Sequence, residues 1–509
     1  MSSIAANQPS SAGEVKKGPI LFAMLLGAFV AFLNQTLLNV ALPSIMGSLN
    51  ITETTVQWLS TGFMLVNGVL MPVTAYLMAK FTTRQIFITG MSLFTIGTLL
   101  CGISPNFAVL MTGRVIQAAG AGIMMPLLNV VVLNIFPIEQ RGRAMGTIGI
   151  AMILAPAIGP TLSGYIVENY DWRTLFWIIL PIAIISILIG MRFVKNVTAT
   201  SNPKLDMVSV VLSTLGFGGL LYGFSDAGSK GWGDPVVISC LVVGAIALLI
   251  FILRQFKLET PLLEFRVFKN SMYSLNTVIL VVVNMAMFSG MILLPIYLQN
   301  TRGISAFDSG LLMLPGAIVM GIMSPITGGL FDKFGAKWLS IIGLVITAVT
   351  TYEFSKLTMD TSYNHLILMY TFRMFGMSLL MMPIQTAALN DIPQKLNAHG
   401  TVMLNTMRTV FGAIGTAVFV TIYSSSLKQY VFDQAGVNMN DPAAVGKLAQ
   451  ESPQVLAQAS IHGINFAFII AAVLTVVALV LAFFIKKSVP KDSKGFPVGK
   501  PEVSTSQSN

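Results

Sequence analysis

Residues 75–90 read AYLMAKFTTRQIFITG, and residues 328–343 read GGLFDKFGAKWLSIIG; the two align without a gap. Leu77, Lys80, Phe81 and Gly90 face identical residues in the second copy, and Arg84 faces Lys337. In each copy a short basic turn separates two long apolar runs. The run that follows carries an arginine and then Met-Met-Pro: Arg114 before Met124, Met125 and Pro126, and Arg373 before Met381, Met382 and Pro383. Duplicated apolar helices around a basic turn are the pattern of two like halves in a bilayer, facing a central cavity.

Outward from these turns the same alternation fills the chain. Of 509 residues, 54% are hydrophobic and 10% charged, where a soluble domain carries roughly 25% charged residues. Mean hydropathy is +0.78. About fourteen apolar segments reach the ~20 residues that a 30 Å hydrocarbon core requires of a helix. Backbone groups in lipid must pair within their own segment, so these runs read as helices. The expected fold is an all-α membrane protein.

The pattern divides into a tail at residues 1–18, six spans in 19–194, two inserted spans in 195–271, and six more in 272–487. A long polar loop falls near 425–461, and the tail 488–509 is rich in Lys, Ser, Pro and Gly, a composition of disorder. Taking the N-terminus as inside, twenty-one of the thirty Lys and Arg fall in inside loops and tails and six outside. That bias predicts a multi-pass cell-membrane protein with both termini cytoplasmic. The net charge of +10 then reads as attraction to the inner leaflet, with no nucleic-acid partner. The first apolar run continues into FLNQTLLNVALP instead of a small-residue cleavage site, so it reads as a retained helix.

Three Arg remain inside spans: Arg114, Arg373 and Arg408. An arginine at mid-span costs ~2.5 to 3.5 kcal/mol on insertion scales, so each should face the protein interior and hold a partner. Asn34, Gln35, Thr36 and Asn39 interrupt the first span, and Gln35 and Asn39 share a helix face. They can line a cavity or join helices to one another. None of the twenty Asp and Glu falls clearly at mid-span; Glu53, Glu168, Asp308 and Glu353 stand nearest, at the outer helix ends, where solvated loop charges are also found. Thirty methionines suit an adaptable apolar pocket or simply a membrane core. Trp58 and Trp177 are available for stacking.

Several motifs recur together in order: FLNQTLLNVALP, RVIQAAGAG, AIGPTLSG, DWRTLFW, GGLFDKFGAK and HGTVMLNTMRTVFGAIG. On these, over nearly its whole length, the sequence resembles the fourteen-helix drug:proton antiporters of the EmrB/QacA type in the major facilitator superfamily, and within them the lincosamide-resistance-like branch. The resemblance implies two six-helix halves plus two inserted helices, and a monomer that exchanges small amphipathic drugs for protons by alternating access. It implies a role for Arg114 in proton coupling; Arg373 and Arg408 in the second half are open to a structural or a coupling role, and Asn34, Gln35 and Asn39 are the first-span residues available to the cavity. It implies gating by Pro156, Gly159, Pro160 and Gly164, and a cytoplasmic charge latch at Asp332, Lys333 and Lys337.

The chain departs from the family pattern at Asn34, where an acidic residue is usual, at Ser163, where glycine is usual, and at Ala79 and Thr82 in the first basic turn. An amide cannot bind and release a proton in the working pH range, so the proton carrier is sought among Glu53, Glu168, Asp308 and Glu353. The chain has no phosphate loop, no metal-ligand spacing and no assembled nucleophile triad, so the expectation is no enzyme activity, no metal and no cofactor, with the proton gradient as energy source. The alternatives are export of an endogenous metabolite, lipid or peptide, and, more remotely, a membrane-embedded enzyme or sensor.

Overall fold

The structure is a computed structural model that describes residues 17–198, 200–201, 205–437 and 442–486. Six helices form the first half: α1 (Lys17–Leu49), α2 (Glu53–Lys80), α3 (Thr83–Gly102), α4 (Phe107–Ile135), α5 (Ile138–Asn169) and α6 (Thr174–Phe193). The helices α7 (Met207–Lys230) and α8 (Pro235–Lys257) make a hairpin. The second half holds α9 (Ser271–Pro295), α10 (Ala306–Phe334), α11 (Ala336–Glu353), α12 (Tyr363–Ser378), α13 (Met381–Asn390), α14 (Asn397–Ala435), the short α15 (Pro442–Glu451) and α16 (Pro453–Ala482).

Among the described residues, thirteen spans are long and apolar enough to cross a membrane, with α12 and α13 counted as one. The 32-residue α5 is the fourteenth long helix. The break between α12 and α13 has a local cause. Pro383 has no amide to bond the carbonyl of Leu379 and its ring crowds that carbonyl, so the amides of Leu379 and Leu380 bond Gly376 and Met377, three residues back.

The two copies of the basic turn reach the same reversal by different chemistry. In the first, Thr82 has an extended backbone and its hydroxyl and the Gln85 side chain cap α3 reciprocally. In the second, the aligned Gly335 takes φ 76°, a conformation that costs an L side chain but not glycine. The loss of glycine at Thr82 is thus compensated within three residues.

The halves meet mainly along α5 and α10. A Cβ on Gly142 would strike the Gly328 carbonyl, one on Gly328 would strike the backbone of Gly142, and one on Gly146 would strike the Ser324 carbonyl. Small residues therefore let the two backbones touch. The contact runs from the first turns of α5 to Leu154, which lies 3.5 Å from the Cβ position of Gly321. Further along, α5 leans on α1: Thr36 Oγ1 donates to the Ala155 carbonyl at 3.3 Å and Ser163 Oγ to the Leu37 carbonyl at 2.7 Å. The halves thus close at the end that carries the basic turns.

The α7–α8 hairpin is tied to both halves. Trp58 of α2 stacks on Tyr222 at 5.5 Å between centroids, and Trp232 Nε1 donates to Thr421 Oγ1 of α14 at 2.6 Å. At the basic end Arg254 of α8 forks onto Asp206, the residue preceding α7, through Nε at 2.7 Å and Nη2 at 3.0 Å. That hydrogen bond holds the Asp206 carboxyl down at about 2.

Replacing Gly328 with Ala should destabilise the protein by roughly 1–3 kcal/mol through overpacking and lower its unfolding midpoint in detergent. Gly329→Ala, inside the same helix with a Cβ that meets nothing within 4 Å, should keep or slightly raise the midpoint, alanine being the better helix former. For Asp206 the folded value lies below the unfolded one, so its contribution is complete above the ordinary carboxylate value and is lost as pH falls toward about 2. Asp206→Asn should cost less than about 1 kcal/mol at neutral pH, the pair being partly exposed. The gap to the parent in thermal unfolding should narrow as the pH is lowered below 4.

Candidate functional site

Arg114 sits in α4 with no exposed surface. Its guanidinium joins three helices of the first half. Nη1 donates to Asn34 Oδ1 of α1 at 2.7 Å and to Gln117 Oε1 at 2.6 Å, and Nε donates to the Leu59 carbonyl of α2 at 3.3 Å. Gln117 Nε2 continues the network to Thr98 Oγ1 of α3 at 2.8 Å. The Phe63 ring covers the guanidinium at 4.2 Å, a cation–π contact. Every one of these partners is neutral, and Nη2 has no hydrogen-bond partner among the described residues.

Such a site forms because α3 and α4 pack without a gap. A Cβ on Gly97 would meet the amide of Gln117 and the carbonyl of Gly113, and one on Gly120 would meet the carbonyl of Gly90. Glycines on both helices bring the backbones together and carry Gln117 to Thr98. Asn34 is buried, Gln35 is half-buried, and the Asn39 side chain lies outside the described residues.

Arg373 occupies the matching span of the second half but is used differently. It is 1% exposed; Nη2 donates to the Ala286 carbonyl of α9 at 2.8 Å and Nε to Thr351 Oγ1 of α11 at 3.2 Å. Nη1 lies where a Cβ on Gly290 would stand. This arginine binds α9, α11 and α12 together. Arg408 of α14 donates through Nη1 to Gln385 Oε1 of α13 at 3.2 Å and remains partly exposed.

Of the gating segment, Gly159 packs against Thr36, whose hydroxyl a Cβ would strike, whereas a Cβ on Gly164 meets nothing within 4 Å. Close packing therefore accounts for Gly159 and not for Gly164. The side chains of Pro156 and Pro160 lie outside the described residues, and α5 runs helical through both positions. Ser163 uses the hydroxyl that glycine lacks to bond α1.

At the basic end Asp332 accepts the backbone amides of Gly142 at 2.9 Å and Arg143 at 3.1 Å. A carboxylate of α10 is thus held on the first turns of α5, where the helix dipole favours negative charge. Lys333 is exposed and Lys337 half-buried, and neither forms an ion pair among the described residues. Arg141 adds a second cross-half bond, Nη1 to Asn390 Oδ1 at 3.0 Å.

The four titratable candidates do not converge. Glu168 is exposed at the end of α5, Asp308 is exposed and caps α10 with Ser305, and Glu353 pairs with Lys356 at 2.8 Å. The Glu53 side chain lies outside the described residues. Asp391, unmarked by any sequence motif, is only 5% exposed at the end of α13. Its neighbours are cross-linked: Asn390 receives Arg141, and the Asp391 carbonyl receives Asn270 Nδ2 at 2.6 Å. Placed between two apolar spans it read as a loop charge, and no local signal marks it otherwise. Met124, Met381 and Met382 are buried in the core.

Two six-helix sets closing on each other at one end, each holding a sealed arginine, are matched by the family model for the Major Facilitator Superfamily over residues 24–416. The chain belongs to that superfamily. It is 47% identical to an uncharacterized MFS-type transporter of Bacillus subtilis (strain 168), YhcA, over 92% of each chain. It is 41% identical to the lincomycin resistance protein LmrB of Bacillus subtilis (strain 168), over 93% of this chain and 97% of that one. Among solved structures it is similar to the proton:xylose symporter XylE, with a TM-score of 0.59 at 13% identity, covering 92% of this chain and 96% of that one; that likeness speaks for the fold. This member of the superfamily is a multi-pass membrane transporter and not an enzyme.

Arg373→Lys keeps the charge but loses the planar fork that spans α9 and α11. The variant should unfold at lower temperature, by an amount equivalent to about 1.5–3 kcal/mol for the lost charged hydrogen bonds. An unchanged midpoint would show that the fork does not hold these helices.

Proposed function

We propose that the transporter exports amphipathic drugs, lincosamides among them, from the cytoplasm in exchange for protons. The observation that carries this reading is the one-sided contact between the halves. They are sealed from Gly142 to Leu154 of α5, and the rest of α5 turns to α1 within its own half. With the basic end taken as cytoplasmic, as the Lys and Arg distribution favours, the crossing of α5 and α10 is the closed inner gate and the molecule stands open to the outside.

Export then requires the gate to open. Asp332 on the amides of α5 and Arg141 on Asn390 are the polar bonds that must break for α5 to leave α10. Both are rim bonds made over touching glycine backbones, an arrangement that can part and close again as two rigid bodies. The full-length likeness to a lincomycin resistance protein supports a drug as cargo. Arg114, with neutral partners only, supports a role in coupling, since its electrostatic balance responds to any proton or ligand charge that enters beside it.

Cells expressing the protein should accumulate less lincomycin than cells without it, and a protonophore should abolish the difference. Efflux that persists without a proton gradient would overturn proton coupling. Arg114→Gln should reduce efflux at least tenfold while the protein still reaches the membrane, as read by surface labelling.

A further inference from the structure

Arg408 differs from the other two membrane arginines in what surrounds it. It stands eleven residues into α14, about 16 Å along the helix at 1.5 Å per residue. It keeps accessible surface while its guanidinium reaches the buried Gln385 of α13, and the next residue, Thr409, reaches Met71 of the opposite half, so that surface faces the space between the halves and not the lipid. Among the described residues its side chain has one hydrogen-bond partner, the neutral Gln385, itself 3% exposed. No carboxylate among the described residues pairs with it. One turn earlier on the same face, Asn405 is 8% exposed, and its buried Nδ2 has no hydrogen-bond partner among the described residues. Arg408 and Asn405 thus both present donors that neutral neighbours do not fully use.

Apolar groups adjoin it. Thr409 reaches Met71 Sδ of the opposite half at 3.6 Å, and the Phe288 ring lies 2.9 Å from the Cβ position of Gly412, one turn on. A cation in low dielectric is stabilised by an anion held in a fork, and a flexible thioether with an aromatic ring suits an apolar body beside it.

We propose that Arg408 and Asn405 form a carboxylate-binding subsite of the central cavity, with Gln385 orienting the guanidinium, and that the transporter accepts, beside basic drugs, amphipathic substrates carrying a carboxylate. This rests on the export reading above and adds a second substrate class to it, since lincosamides carry an amine and no carboxylate. The planar guanidinium offers two parallel N–H donors to the carboxylate, and the Asn405 amide offers a third. A neutral amide of the same shape leaves the cation uncompensated.

The test uses dansylglycine and dansylglycinamide, which differ only in the charged group, binding to the purified full-length protein by dansyl fluorescence. The acid should bind at least tenfold more tightly than the amide. Arg408→Gln should bring the acid down to the amide's level, Arg408→Lys should keep an intermediate preference, and Asn405→Leu should lower the ratio several-fold. Unfolding midpoints identify any variant that fails to fold, and the wild-type ratio with Asn405→Leu then decides. Equal binding of acid and amide to the wild type overturns the subsite, as does an unchanged ratio in folded Arg408→Gln. Failure of lincomycin efflux from cells, with the acid preference intact, would overturn the export reading and leave the subsite standing.

Discussion

The backbones of α5 and α10 touch where Gly142 meets Gly328, and the union of the two halves depends on that crossing. In lipid there is no hydrophobic force to press helices together, so association relies on close van der Waals contact and the few hydrogen bonds that close contact permits. Glycine at both positions brings the helices near enough for the Asp332 carboxylate to reach two amides of its neighbour. The polar latch is therefore a consequence of the steric one.

The same rule of small residues first and polar bonds second repeats inside the first half. Glycines along α3 and α4 bring Gln117 to Thr98, and Gln117 then shares the Arg114 guanidinium with Asn34. The three membrane arginines nevertheless serve different ends. Arg373 spends its donors on helix carbonyl and hydroxyl groups, Arg114 is sealed among neutral partners, and Arg408 keeps accessible surface. The hydrogen-bond partners of all three among the described residues are neutral, and a neutral dipole compensates a buried cation only in part.

The α7–α8 hairpin is more than an addition to the perimeter. Through Trp58–Tyr222 on one side and Trp232–Thr421 on the other it contacts both halves. Any motion that separates the halves must slide or break one of these contacts.

Helix number, the duplicated basic turn and the family were legible in the sequence, because each depends on local properties: run length, charge position and a short motif read in order. Lipid forces each apolar run to satisfy its own backbone, so a run implies a helix without knowledge of its neighbours. Even the exchange of glycine for Thr82 has a local answer in the cap with Gln85. What touches what was not legible. The seat of Asp332, the bond from Arg141 to Asn390 and the burial of Asp391 join residues or place a charge across elements far apart in the chain. Arg114, Arg373 and Arg408 look alike as single charges in apolar runs, and only tertiary packing separates them, because the partners of a buried charge come from helices that fold beside it and not from its own.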